Sequence, residues 1–349
     1  MSEKIKIGFT ALTDSAPLVV AKELGFFANL GLDVELCKEV SWSNIRDKLV
    51  FGEYQAAHLL APMLMSCTLG LGGLKKPLCT AYSFGLNGNA ISVSNSVFAE
   101  LEAVADNLMD APEQTARALA QVIQQRVAAG LPKLRFAVVF PYSMHYYLLN
   151  HWLVSGGIAL EQVEIMVVPP ARVVQALAED VIDGYCVGEP WNSHAAIGGV
   201  GVTLITGYEI WNNAPEKVLG VTQEWAEIHT EEHAKLVQAL YQASAWIDKA
   251  ENHPQLMTFL SMPEYVGVPQ TALEYAFAGK VCHPTSQTCR LVPEFAKPYK
   301  DHANLPKIQD ALWILTQMQT LGQITETVSI EHLATEVYRP DLTQTFLKI

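Results

Sequence analysis

Two hydrophobic periods alternate along this chain. Short runs in which apolar positions are continuous, or alternate with polar ones, read as strands, and longer segments whose apolar residues recur every three or four positions read as helices. Ile5 to Phe9 is such a strand, and Asp14-Ser15 then caps a helix carrying Leu18, Val19, Ala21 and Leu24 that stops at Gly25. Leu32 to Leu36 alternates like a half-exposed strand. A loop holding Ser41-Trp42-Ser43 enters a helix through Ile45 and Leu49 to Gly52, and Ala56 to Leu60 is strand again. A helix over Pro62 to Leu69 and a strand over Leu78 to Phe84 complete a βαβα run. Such a run implies a mostly parallel sheet with ligand loops at the carboxyl ends of its strands.

The pattern changes at Leu86-Asn87-Gly88-Asn89, where turn residues sit inside an extended run that continues to Val93, as a strand crossing between two bodies would read. A polar helix from Pro112 to Ala129 and a strand over Leu134 to Val139 follow, then a helix entered at His145 that carries Tyr147, Leu148, Leu149 and Trp152. Glu164 to Val168 (strand), Ala171 to Ala178 (helix) and Ile182 to Cys186 (strand) complete a second unit on the opening plan. Val202 to Ile205 is a strand, Pro215 to Thr222 reads as a second crossing, and helices over Glu231 to Lys249 and Ile308 to Leu321 follow. Two crossings predict an α/β clamshell, with residues 1–88 and 217–349 in one lobe and 89–216 in the other, closing on a ligand. A chain of 349 residues is long enough for two cores.

Composition narrows the function. With 50% hydrophobic and 17% charged residues the chain is globular, and its net charge of −13 argues against direct contact with nucleic acid or an anionic membrane. Attraction for any anion must therefore be local. Tyr54 to Leu74 contains no charged residue, but Gln55, His58, Pro62 and three glycines would leave a lipid-embedded helix broken and polar, so it reads as buried strand, turn and helix. The six cysteines form no CxxC pair. Cys282-His283 with Cys289 lacks the second ligand pair of a zinc site, so no metal or cofactor is expected and the thiols read as unpaired, as in a reducing compartment. Met1-Ser2-Glu3-Lys4 runs into the first strand without an apolar segment before it, which predicts a cytoplasmic protein.

The candidate chemistry centres on Cys186-Val187-Gly188-Glu189-Pro190-Trp191, a strand-to-helix turn. Glycine lets the backbone approach a ligand, and proline in the first helical turn leaves the next amides free for an anion at the positive helix end. An ordinary βα turn with a packed Trp191 is the alternative.

The stretches Gly8-Phe9-Thr10-Ala11-Leu12-Thr13-Asp14-Ser15-Ala16-Pro17, Ser41-Trp42-Ser43-Asn44-Ile45-Arg46-Asp47-Lys48-Leu49, Asn87-Gly88-Asn89-Ala90-Ile91, Cys186 to Trp191 and Pro215-Glu216-Lys217-Val218-Leu219-Gly220-Val221 together resemble the nitrate/bicarbonate family of periplasmic-type binding proteins. The resemblance implies a type II periplasmic-binding-protein-like clamshell with two crossover strands, and a nitrate or nitrite site at Trp42, Asn87, His145, Gly188 and Lys217, with Asn89 as a possible addition. Without a visible export segment, the chain is most similar to the NasS-type cytoplasmic sensors. These restrain an RNA-binding antiterminator of the NasT type, so that protein is the implied partner. The alternative is the substrate-binding component of a nitrate transporter. Bicarbonate is the lesser cargo, because in this family lysine at position 217 goes with nitrate and glutamate with bicarbonate.

Each residue also has a plainer role open to it. Lys217 alone is a solvated lysine, His145 a capping or core histidine, Trp42 a packing residue, and Asn87 and Asn89 turn formers. As a nitrate site the set makes sense: Lys217 supplies a charge-assisted hydrogen bond, Asn87, Trp42 and His145 supply N–H donors, and Gly188 gives room. Asn87 stands where the transporters carry glutamine, so the order of nitrate and nitrite stays open. On this reading Lys217 lies on the cleft surface, and its exchange for glutamate spares the fold. Catalysis is not expected, since no nucleotide-binding, metalloprotease or nucleophile-elbow motif is present.

Overall fold

The computed structural model describes residues 4–283 and 288–349. The first three residues, on which the reading of the chain start rests, lie outside the described residues. In chain order the strands are β1 (Ile5–Thr10), β2 (Val34–Glu39), β3 (Ala56–Leu60), β4 (Leu78–Cys79), β5 (Leu86–Asn87), β6 (Asn89–Ser94) and β7 (Arg135–Val138). They continue with β8 (Glu164–Val167), β9 (Gly184–Gly188), β10 (Gly201–Thr206), β11 (Lys217–Thr222), β12 (Lys280–Cys282), β13 (Cys289–Leu291) and β14 (Ala296–Lys297).

Two five-stranded sheets form the two lobes of an α/β clamshell, one in the order β2-β1-β3-β11-β4 and the other β10-β6-β9-β7-β8. In each, the strands joined through helices are parallel (β1 with β2 and β3, β7 with β8 and β9) and the crossing strand is antiparallel to its neighbour (β11 to β3, β6 to β9). The sheets are thus mixed, because a strand entering from the other lobe arrives in the opposite sense. At the hinge Asn87 and Gly88 adopt φ of 63° and 88°, a region open to asparagine and glycine, and β14 pairs with β5 there, bringing the C-terminal part of the chain to the crossing.

Capping sets the entry of the two helices that matter to the site. The Ser41 hydroxyl accepts from the Asn44 N–H at 3.3 Å, so the helix Trp42–Val50 begins at Trp42 itself and not after a loop. Ser143 accepts from the Tyr146 N–H at 3.1 Å and starts the helix Met144–Ser155, placing His145 in its first turn, fully buried. The uncharged run is β3 followed by the helix Ala61–Leu69, and both are buried over most of their length. No helix among the described residues is long and apolar enough to cross a membrane.

Three expectations are corrected. The strand foreseen from Leu78 to Phe84 is only β4: the chain touches β11 again at Ser83, but between them Thr80 Oγ1 bonds both the N–H and the carbonyl of Tyr82, drawing the backbone out of the ladder. Asp14 caps no helix. The helix Ala16–Glu23 starts without a side-chain cap, and the Asp14 carboxylate turns to Lys217 and His58. The cysteines are not all unpaired either, for Cys282 and Cys289 form a disulfide joining β12 to β13 while Cys37, Cys67, Cys79 and Cys186 stay free.

Candidate functional site

The lobes meet where the loop after β1 faces the turn after β9. The Thr13 N–H donates to the Glu189 carbonyl at 2.8 Å, and the Trp191 indole donates to the Ala11 carbonyl at 2.9 Å. Trp191 is therefore a packing residue that ties one lobe to the other. The amide end of the short helix Trp191–Ile197 is not vacant for an anion, because the Glu189 carboxylate accepts from the Ser193 N–H at 3.2 Å. The chain supplies its own acid at that helix end, and burial, only partly offset by Ser193, pushes this acid up to about 7.

Lys217, the first residue of β11, is completely buried beside this contact. Its ammonium lies 2.7 Å from Glu216 Oε1, 2.9 Å from Asp14 Oδ2 and 3.4 Å from His145 Nε2. Gly188 comes from the opposite lobe, and a Cβ on it would stand 3.3 Å from Lys217 Nζ, 3.3 Å from Asn89 Oδ1 and 3.3 Å from a Leu12 methyl. A side chain there would be tight against all three, so glycine suits the close approach of the second lobe to the lysine. Asn89, at the start of β6, donates its amide to Glu216 Oε2. On the far side of Asp14, His58 Nε2 stands 3.0 Å from Asp14 Oδ1, and the His58 ring packs against Trp42 at a centroid distance of 5.6 Å.

The structure thus gathers His145, Gly188, Asn89 and Lys217 in one cluster, with Trp42 joined through His58. Asn87 lies beside the same small cavity as Lys217, but its side chain is spent on the hinge: Oδ1 accepts from the Ala214 N–H and Nδ2 donates to the Glu294 carbonyl, each at 3.0 Å. Lys217 is not a cleft-surface lysine, and that expectation is corrected too.

Charge in the cluster is set by burial. Burial alone would lower Lys217 and raise Asp14, but their mutual attraction wins: Lys217 is held above its ordinary value, and Asp14, also drawn by His58, well below the carboxylate range. Glu216 goes the other way. Burial outweighs the pull of Lys217 and pushes it up to about 7. His145 is driven well below its ordinary value by burial and then by Lys217, and His58 is lowered by burial against the pull of Asp14, so both rings are neutral. With Nε2 of His145 accepting from the ammonium, its proton sits on Nδ1, a buried donor without a partner among the described residues. The Trp42 indole N–H is in the same condition. Buried donors of this kind cost stability unless something accepts from them.

Asp14, His58 and Glu216 were not picked out by the sequence reading. Two had a signal, since Asp14 follows the first strand, where ligand loops are expected, and Glu216 adjoins Lys217. His58 had none, being a histidine inside an apolar strand.

The chain is similar to known proteins over most of its length. The profile of the NMT1-like family matches residues 1–261. The nitrate/nitrite binding protein NrtA of a Nostoc species is 30% identical over 97% of this chain and 75% of its own length. The nitrate import ATP-binding protein NrtC of a Synechocystis species is 36% identical over 97% of this chain but 49% of its own length, so the chain spans about half of that relative. The crystal structure of the periplasmic nitrate-binding protein NrtA from Synechocystis superposes with a TM-score of 0.88 at 29% identity, covering 99% of this chain and 88% of that one. The alkanesulfonate-binding protein SsuA of Xanthomonas axonopodis, 14% identical with a TM-score of 0.66 and coverage of 96% and 98%, shares the fold. From its profile match and from its likeness to NrtA over nearly its whole length, the chain belongs to the NMT1-like family and, within it, to the nitrate/bicarbonate substrate-binding proteins.

Proposed function

We propose that the chain binds nitrate or nitrite between its lobes without transforming it, and that a partner protein reads whether the lobes are open or closed. The carrying observation is the buried Lys217 ammonium at the lobe contact, with the unpartnered N–H groups of His145 and Trp42 in the surrounding cluster. A weakly accepting planar anion suits such donors. The adjoining cavity of about 40 Å³ holds roughly three waters, the scale of a small oxyanion. In the family that the sequence resembles, lysine at position 217 goes with nitrate and glutamate with bicarbonate, which supports nitrate here. The test is a thermal-shift panel: nitrate and nitrite at a thousandfold excess over Kd stabilise by about 4 kcal/mol, and sulfate, whose second charge one lysine does not balance, does not. A bicarbonate response larger than that to nitrate overturns the assignment.

For the readout, the proposed role is that of a cytoplasmic sensor whose unliganded form holds an RNA-binding antiterminator and whose closure releases it. An anion that favours the closed form must weaken a partner that prefers the open form by the same factor. The charge of −13 suits the chain to covering the basic face of an RNA-binding protein. The Cys282–Cys289 disulfide favours a second reading, a transport receptor in an oxidising compartment, since such bonds are rare where thiols are kept reduced. Light scattering of the chain with candidate antiterminators, titrated with nitrate, separates the two. A complex that nitrate dissolves supports the sensor, and no complex, or one indifferent to nitrate, supports the receptor.

A further inference from the structure

We propose that Glu216 couples anion binding at Lys217 to the uptake of one proton, and so acts as a specificity-determining residue of the site; the inference rests on the nitrate reading above. An ammonium has three N–H groups. Here three groups already crowd the ammonium, Asp14 at 2.9 Å, Glu216 at 2.7 Å and His145 at 3.4 Å, so an entering anion must take a place already held. Two of the holders repel it.

The charge count shows which one must change. Asp14 and Glu216 against Lys217 sum to −1, and a monovalent anion brings the cluster to −2 in a site from which water is excluded. A proton taken from solvent onto the Glu216 carboxylate returns the sum with anion bound to −1. It also turns a competing acceptor into an O–H donor, from which the entering anion can accept. Asp14 is less suited to the proton. It is 22% exposed and is held on one side by Lys217 and on the other by His58, whereas Glu216 is 3% exposed with Lys217 as its one cation.

The groups around Glu216 come from separate elements: Asp14 from the loop after β1, with His58 of β3 behind it, Asn89 from β6, His145 from the helix Met144–Ser155, Cys186 from β9, Lys217 from β11 and Tyr338 near the C-terminus. Burial keeps both histidines, the thiol and the phenol neutral at pH 7. That leaves Glu216, pushed up to about 7, as the group against Lys217 that changes charge near neutrality; Glu189, also pushed up to about 7, has its carboxylate on the Ser193 N–H instead. Above that value the free carboxyl is ionised and binding must take up a proton, so Kd rises by up to about tenfold for each pH unit; below it the proton is in place and Kd is level.

The experiment is calorimetric titration of the full chain with sodium nitrate at pH 6, 7 and 8, each in two buffers of different ionisation enthalpy, with E216Q in parallel. The expected result is uptake of nearly one proton at pH 8 and nearly none at pH 6, with Kd up to about tenfold weaker at pH 8 than at pH 7. E216Q should bind nitrate with a level pH profile and more tightly than wild type at pH 8. If E216Q does not fold, the buffer dependence of the wild-type enthalpy decides alone. Nitrate binding with no proton uptake at pH 8 and a level Kd overturns this inference and leaves the nitrate reading standing. No nitrate binding at any pH overturns both.

Discussion

Exchanging Lys217 for methionine removes the ammonium while keeping most of the stem that packs in the lobe, so the change in volume is small and the change in charge dominates. Asp14 and Glu216, at 2.9 and 2.7 Å from the lost charge, are left as buried acids without a counter-ion. Removing one partner of a buried pair costs about 3–5 kcal/mol. Glu216 already sits at about 7 and takes a proton rather than remain charged, so the loss in Lys217→Met should fall near the lower end, about 3 kcal/mol at pH 7.5. Asp14→Asn in the same chain should return most of it, since no unpaired charge then remains. Urea unfolding of the three proteins measures both effects through the midpoint at constant slope. Nitrate affinity should fall with the lost charge-assisted hydrogen bond, about 1.5–3 kcal/mol, or roughly 10- to 150-fold. A Lys217→Met protein within about 1 kcal/mol of wild type, with no gain from the second substitution, would refute the assignment of Lys217 as the internal counter-ion of this cluster.

Trp42→Phe keeps the ring packing on His58 but deletes the unpartnered indole N–H, so it should weaken nitrate binding roughly 3- to 10-fold with little change in melting temperature; unchanged affinity would place the indole outside the site. Glu216 and Glu189 both rest near 7 instead of 4.5, so the folded state holds more protons than the unfolded between those values and stability falls as pH rises through them, on the order of 3 kcal/mol for each group. Asp14 acts in the opposite sense only below the ordinary carboxylate range. His58, His145 and His233, held neutral by burial, act in that same opposite sense up to their ordinary value of 6.5 and offset the glutamates below it, so the decline is expected above about pH 6.5, with Glu189→Gln removing part of it, and a urea midpoint that rises from pH 6.5 to pH 8 would contradict it. Thiol titration of the denatured, unreduced protein should find four reactive cysteines of six, and six would remove the disulfide.

The alternation of strand and helix periods was enough to predict an α/β chain with two crossings, because burying one face of a strand or helix imposes its period on neighbouring residues. The helices after Ser41 and Ser143 were expected, but with Trp42 in a loop and the second helix entered at His145; the serine hydroxyls, each accepting from an amide three residues on, set the starts at Trp42 and Met144. Residue types likewise told that an anion site would be local on an acidic chain, and family motifs pointed to Lys217, His145 and Gly188. What no local pattern held was the company these residues keep. Asp14, His58, Asn89, His145, Gly188 and Glu216 come from six separate places in the chain and meet at Lys217 only when the two sheets close, and this meeting turns an apparently solvated lysine into a buried counter-ion. The cysteine pairing was hidden likewise, since β12 and β13 had first to pair before Cys282 could face Cys289. Burial and pairing over long sequence separation decide which acid is charged, which donor is left unmet and which helix end is already filled by Glu189. These are properties of distance and exclusion of water, and a sequence records neither until it folds.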